Sequence, residues 1–232
     1  MSTALFDEIG GLRFWNEREI LSRTHVQEQL VLAVKIGLRR VNPAWRFFQC
    51  ETPILTPETH IHAEYVGGSD VYITNGKAAG HGLYMRPETT AGSYAYMKQL
   101  LNKSKVRLPL CVWQAGKSFR QEVNDGASAA KLRFNEFWQL EFQCCYAEGT
   151  KADYQAHILP DLLATMLTLG SGKVRTVDSD RLPSYSTKTV DIEMYDFSYD
   201  RWVEVASISE RTDNENGHVL EIAIGLDRLV SL

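Results

Sequence analysis

Between Phe137 and Cys144 the chain alternates with a strict period of two, which commits this stretch to an extended strand with two chemically different faces. Phe137, Gln139, Glu141 and Gln143 share one face, and Trp138, Leu140, Phe142 and Cys144 share the other. The apolar row belongs in a core. The polar row, headed by an aromatic ring, lines a cleft or a half-solvated sheet surface.

Around this strand the pattern is one of strands in runs with helices between them. Residues 25–40 place Val26, Leu30, Ala33, Val34 and Leu38 at helical spacing, with Thr24 as a candidate N-cap and Asn42-Pro43 as a stop. An aromatic strand over residues 45–55 ends at Pro53, which has no N–H for a sheet ladder. Residues 65–84 read as turns and short hairpin strands, and Thr89 or Thr90 caps a helix carrying Tyr94, Met97, Leu100 and Leu101. Strands are expected near 110–114, 117–123 and 135–146, with a polar turn over residues 124–128. A helix near 151–169 precedes further strands around Val174, Val190 and Val203. The class is α+β, a mainly antiparallel sheet flanked by helices. With 44% hydrophobic residues in 232 and no Pro, Gly or Ser run dividing them, one domain over residues 1–232 is the simplest organisation.

The formal net charge of −4, from 29 acids against 25 bases, gives no general field to collect polyanions, so any RNA contact is local. Cys50, Cys111, Cys144 and Cys145 lack the paired C-x-x-C spacing of a zinc site and read as reduced thiols. The first residues carry acids where a secretory signal carries bases, and no segment is long and apolar enough to span a bilayer. These features predict a cytoplasmic protein without membrane attachment. Neither a G-x-x-x-x-G-K phosphate loop nor a G-x-G-x-x-G fingerprint occurs.

Three short segments carry the chemistry: Ser118-Phe119-Arg120-Gln121-Glu122, Arg133-Phe134-Asn135-Glu136-Phe137 and Gly225-Leu226-Asp227-Arg228. An arginine two residues before a glutamate projects to the same face of a strand, where the guanidinium clamps a phosphate and the carboxylate reads a nearby donor. Arg133, four residues before Phe137, falls on one face with it in an extended chain. The alternative is an exposed cross-strand ion pair and a packed ring.

In order and wording, these segments resemble the second and third motifs of class II aminoacyl-tRNA synthetases, with glycyl-tRNA synthetase the nearest likeness. Residues 25–55 resemble the first motif, residues 110–146 the second and residues 218–232 the third. The resemblance implies a class II synthetase fold and an ATP-dependent ligase that forms an aminoacyl-adenylate and transfers the acyl group to the acceptor end of tRNA. It also implies a homodimer built through the first motif. Arg120 and Arg228 become the catalytic arginines, and the ATP site comprises Arg120, Glu122, Arg133, Phe137, Glu204, Val205, Gly225 and Arg228. Adenine stacks between Phe137 and the Arg228 guanidinium, and Gly225 lets the backbone approach the nucleotide. Glu204 and Glu221 correspond to the two carboxylates that bind Mg²⁺ on the phosphates.

The amino-acid pocket implied by the resemblance comprises Glu88, Gln139, Glu141, Ser207, Arg211, Glu221 and Ala223. Acids crowded around a small ammonium group favour glycine. Two positions depart from the family pattern: Ser207 stands where glycine is usual, and Ile222-Ala223 where Pro-Ser is usual. Only Leu229 to Leu232 follow Arg228, so an appended anticodon-reading domain is not expected. Three readings stay open: a compact glycyl-type synthetase, a synthetase paralogue that acylates a different acceptor, and a noncatalytic synthetase-like accessory protein.

Overall fold

Helix α1 (Glu17–Val41) starts where Asn16 and Glu19 close a capping box, each side chain accepting the other's backbone N–H at 3.0 Å. Thr24, the expected cap, lies inside the helix and donates its hydroxyl to the Ile20 carbonyl at 2.9 Å. The first two turns bury only Glu19, so no apolar stripe announces them. From Val26 onward the stripe is continuous, and Val26, Leu30, Val34 and Leu38 are all buried. Each contributes about 1.5–3 kcal/mol by leaving water.

A computed structural model describes residues 6–7, 12–63, 65–66, 70–103, 106–122, 126–128, 130–150, 152–170, 172–180, 182–215 and 217–232. Two short strands, β1 (Phe6–Asp7) and β2 (Leu12–Arg13), pair antiparallel ahead of α1. The main sheet has seven strands: β3 (Arg46–Gln49), β7 (Leu110–Phe119), β8 (Glu136–Tyr146), β12 (His218–Gly225), β11 (Arg201–Arg211), β10 (Ser186–Asp196) and β9 (Val174–Asp178), in that spatial order. Only the edge pair β3 and β7 is parallel; the other pairs are antiparallel, as the sequence predicts. A separate three-stranded sheet joins β4 (Leu55–Pro57), β6 (His81–Met85) and β5 (Ile73–Ala78). The aromatic segment at residues 45–55 is therefore divided between two sheets, and Pro53 lies between them.

The period-two pattern of β8 sorts its neighbours. Leu140, Phe142 and Cys144 lie in the main core with Ile222 and Ile224 of β12, under α1 and the helix α3 (Tyr154–Leu169). The opposite face divides in two along the strands. Leu110, Val112, Cys145 and Val219 are covered by Tyr94 and Met97 of helix α2 (Thr90–Lys103), and the polar remainder opens beyond the first turn of that helix. Strand β7 continues without a break through residues 115 and 116, where sequence reading expects two strands. The polar turn expected at residues 124–128 lies partly outside the described residues. Among the described residues, no helix is long and apolar enough to cross a membrane.

Candidate active site

Four central strands bring their polar rows side by side. Register places Gly116 of β7 opposite Gln139, Gln114 opposite Glu141, Ala223 of β12 opposite Glu141, and Gly225 opposite Gln139. On the next strand Ser207 faces Ala223 and Ser209 faces Glu221. Between Ile192/Ala206 and Glu193/Glu204 the β10–β11 register slips, which makes Val205 the extra residue of a β-bulge. The bulge flips the alternation, so Glu204, Ser207 and Ser209 all line one cavity of about 230 Å³. Val205 keeps its side chain in the core at 2% exposure, so its part in that wall belongs to the backbone.

One end of the cavity is acidic. Arg211 donates to Glu221 at 2.5 Å and, through Nε and Nη2, to both carboxylate oxygens of Asp213 at 2.9 and 2.7 Å. Its guanidinium lies between the rings of Tyr94 and Tyr185, 4.0 and 3.9 Å from their centres. Glu221 also accepts from the Tyr185 hydroxyl at 3.1 Å and from Gln143 Nε2 at 2.8 Å, so both its oxygens are engaged. Glu88 accepts from the Tyr65 hydroxyl at 3.0 Å and lies 3.8 Å from Arg120. Burial raises the affinity of Glu88 for a proton, with Glu221 adding to the effect and Arg120 opposing it.

Glu141 is fully buried beneath the start of α2, where it takes hydrogen bonds from Thr89, Thr90, Ser93 and Gln143 at 2.7–3.1 Å. Burial first, then the neighbouring Glu221 and Glu88, pushes its pKa up to about 8. Thr89 thus spends its hydroxyl on Glu141 instead of on the helix end expected of it. Neither Glu141 nor Arg211 lines the cavity; they support the side chains that do. This corrects their expected direct contact with substrate. The missing element was the first turn of α2, which covers that part of the strand face.

The other end is cationic. Arg120, Arg133 and Arg228 all line it, and burial together with the nearby Arg120 and Arg133 lowers the pKa of Arg228. Arg228, in helix α4 (Leu226–Ser231), is tethered by Nε to the Leu132 carbonyl at 3.1 Å and by Nη1 to the Glu204 carbonyl at 2.7 Å. Arg120 donates Nε to the Pro87 carbonyl at 3.0 Å and Nη2 to the Tyr65 hydroxyl at 3.3 Å. The Phe137 ring lies 5.3 Å from the Arg120 guanidinium. Arg133 pairs with Glu122 at 3.1 Å. Arg133 belongs to a turn before β8, with Leu132 at φ +51°, so it reaches the cavity by that turn and not along a strand shared with Phe137. Three guanidiniums beside a flat ring suit a polyanion that carries a planar group.

Glu204 and Glu221 do not form one metal site. Glu221 pairs with Ser209, five residues beyond Glu204 on β11 and so roughly 15 Å away. Its oxygens are also taken by Arg211, Tyr185 and Gln143. Glu204 is exposed, its carboxylate accepts no hydrogen bond among the described residues, and it lies near Arg120 and Arg228. It fits a hard cation whose other ligands come from a phosphate chain. Gly225 has φ −82°, and a Cβ there would meet only the Val205 carbonyl at 3.6 Å and the Arg228 side chain at 3.8–4.0 Å. The protein itself leaves room for a side chain at 225, in a wall of the cavity.

The fifteen expected site residues come mainly from the family resemblance, which does not reach their supports. Tyr65, Tyr185 and His62 line the cavity without any local signal. Arg86 had one. Its guanidinium donates to the Lys117, Thr52 and Pro53 carbonyls at 2.7, 2.6 and 3.4 Å, stitching β7 to the segment before β4. A Cβ at Gly116 would collide with it, and an isolated glycine in a strand marks such an approach.

A family model described as the tRNA synthetase class II core domain (G, H, P, S and T) matches residues 72–232. A glycine--tRNA ligase of Corynebacterium glutamicum is 31% identical over 135 residues, and one of Mycoplasmopsis synoviae 36% over 133; each match covers 56% of this chain and 29% of the relative. The chain thus spans under a third of the length of these curated relatives. Among solved structures, a prolyl-tRNA synthetase from Cryptosporidium parvum complexed with halofuginone and AMPPNP is similar at a TM-score of 0.73 and 14% identity. That likeness covers 98% of this chain and 50% of the other. A Giardia lamblia prolyl-tRNA synthetase in complex with prolyl-adenylate gives 0.69 at 17%, covering 96% and 47%. At these identities the structural likeness establishes the fold.

Proposed function

This chain belongs to the class II tRNA synthetase core family, and from that premise we propose that it activates an amino acid with ATP and transfers it to the acceptor end of tRNA. The observation that carries the reading is a single cavity with three guanidiniums and a phenyl ring at one end and buried carboxylates at the other. Residues 1–232 act together as the catalytic domain.

The chemistry follows from that polarity. The triphosphate lies against Arg133 and Arg228 with the base on Phe137, and the substrate ammonium group faces Glu88. Arg120 stands where the two ends meet, 3.8 Å from Glu88 and 5.3 Å from the Phe137 ring. There its guanidinium holds the substrate carboxylate against the α-phosphate. A carboxylate oxygen attacks the α-phosphorus, the bond to the β-phosphate oxygen breaks, and pyrophosphate leaves. Charge building on the phosphate oxygens meets fixed cations, which lowers the barrier without a proton-transfer base. Magnesium, when bound, would neutralise phosphate charge, and Glu204 is the residue that would hold it.

Glycine is the favoured amino acid. Both of these relatives are named for it, and Glu221 and Tyr185, tied together and held from behind by Arg211, form a fixed wall at the acidic end. The protein acts in the cytoplasm as a homodimer through α1 and the segment after it. Leu21, Leu32 and Ile36 on that helix are 64%, 51% and 46% exposed, as an unpaired interface face would be. The test is exchange of labelled pyrophosphate into ATP across the twenty amino acids, followed by transfer to tRNA. Exchange with glycine and charging of tRNA support the reading; silence with every amino acid overturns it.

A further inference from the structure

The hairpin joining β10 and β11 carries a cluster that the adenylation chemistry does not use. Tyr195 and Trp202 are cross-strand partners with rings 5.2 Å apart at 72°, and Phe197 packs edge-on to Tyr195 at 4.9 Å. Cations lie over these rings: Lys173 is 4.5 Å from Tyr195, Arg175 is 4.3 Å from Trp202, and Arg201 is 5.1 Å from Tyr199. At the tip, Phe197 and Tyr199 are 55% and 57% exposed.

Register places this cluster beside the cavity. Trp202 lies two residues before Glu204 on β11, so both share the cavity face of the sheet. Arg201 donates to the Ala130 carbonyl, in the same turn as Leu132 and Arg133, which line the cavity. The ladder therefore runs outward from the cavity mouth, across β11 and β10, to the sheet edge at β9.

The acids of the tip are already engaged. Glu193 pairs with Arg175 at 2.6 Å, Asp196 with Arg201 at 3.3 Å, and Asp200 accepts from the Tyr195 hydroxyl. Lys173 has no ion pair among the described residues. With charge close to balanced, attraction for a phosphate backbone is weak, and what the surface offers is exposed ring faces next to delocalised cations. Those groups stack on unpaired bases, whose faces are open; in a duplex the faces are hidden.

We infer that the hairpin tip is a stacking platform for the unpaired nucleotides of an RNA whose 3′ terminus enters the cavity. The inference rests on the synthetase reading for the identity of that RNA. The test is fluorescence anisotropy of the full chain with a short 5′-labelled single-stranded RNA, the same RNA in a duplex, and a Phe197→Ala/Tyr199→Ala variant. Both substituted side chains are exposed, so the variant folds.

The single strand is expected to bind at least tenfold more tightly than the duplex, and the variant to lose about tenfold or more. Pyrophosphate exchange is unchanged in the variant. The salt dependence is shallow, near the slope of one or two neutralised phosphates. Equal affinity of variant and wild type, or preference for the duplex, overturns the platform while intact exchange leaves the catalytic reading standing. Absent exchange in the wild type with tip-dependent RNA binding sinks the catalytic reading alone.

Discussion

Replacing Arg211 by methionine removes the cation on which the acidic end of the cavity depends. The side chains of Arg211 and Glu221 are 4% and 6% exposed and 2.5 Å apart. Methionine keeps the stem between Tyr94 and Tyr185 but leaves Glu221 with one hydroxyl and one amide, facing Glu88 and Glu141. Breaking a buried pair from one side costs about 3–5 kcal/mol. The lost cation–ring contacts, about 1–2 kcal/mol each when desolvated, are offset in part by sulfur–ring contacts. For a chain of this size about 3–5 kcal/mol lowers Tm by roughly 6–20 °C. Calorimetry or thermal circular dichroism measures it. Arg211→Met combined with Glu221→Gln removes both charges and should recover most of the loss. A single variant within about 1 kcal/mol of wild type, or a double variant no better than the single, would refute the reasoning.

Other substitutions separate packing from chemistry. Glu141 titrates near 8 in the folded protein, so the folded state holds a proton that the unfolded chain releases in the ordinary carboxylate range. Its contribution is full below that range and is lost as pH rises through about 8, on the order of a few kcal/mol at most. Glu141→Gln should therefore flatten the fall in Tm between mildly acidic and alkaline buffer, and parallel curves would contradict this. Gly225→Ala has room on the protein side, with the nearest atom at 3.6 Å, so stability should change by less than about 1 kcal/mol. Its methyl group borders the cavity, and nucleotide affinity measured by titration should fall about tenfold; unaltered affinity would place the nucleotide elsewhere. Gly116→Ala should cost about 1–3 kcal/mol by driving Arg86 from its carbonyls, a loss read by urea denaturation. A neutral result there would show that Arg86 is no strut.

Alternation in β8 was legible because a strand with one apolar and one polar face has a single consistent orientation, and it placed Gln139, Glu141 and Gln143 on the same side as Phe137. Counting by twos fails on β11. The bulge at Val205 changes parity between Glu204 and Ser207, and no local residue type announces it. Glu141 was found as an acid on the right face, but its burial depends on α2 folding back over the sheet, a contact between distant segments. The start of α1 was written in Asn16 and Glu19, a capping signal independent of the apolar stripe that dates the helix too late. The pairing of Glu204 with Glu221 came from family likeness and failed on register.

On the proposed function, the cationic end of the cavity holds a nucleoside triphosphate. Isothermal titration of the wild-type chain with ATP, repeated with Arg120→Ala and with excess pyrophosphate, tests it most directly. One saturable site is expected, which pyrophosphate competes away and the substitution weakens at least tenfold, with the thermal transition retained. Heat indistinguishable from dilution in the wild type, or binding that Arg120→Ala leaves intact, would contradict it.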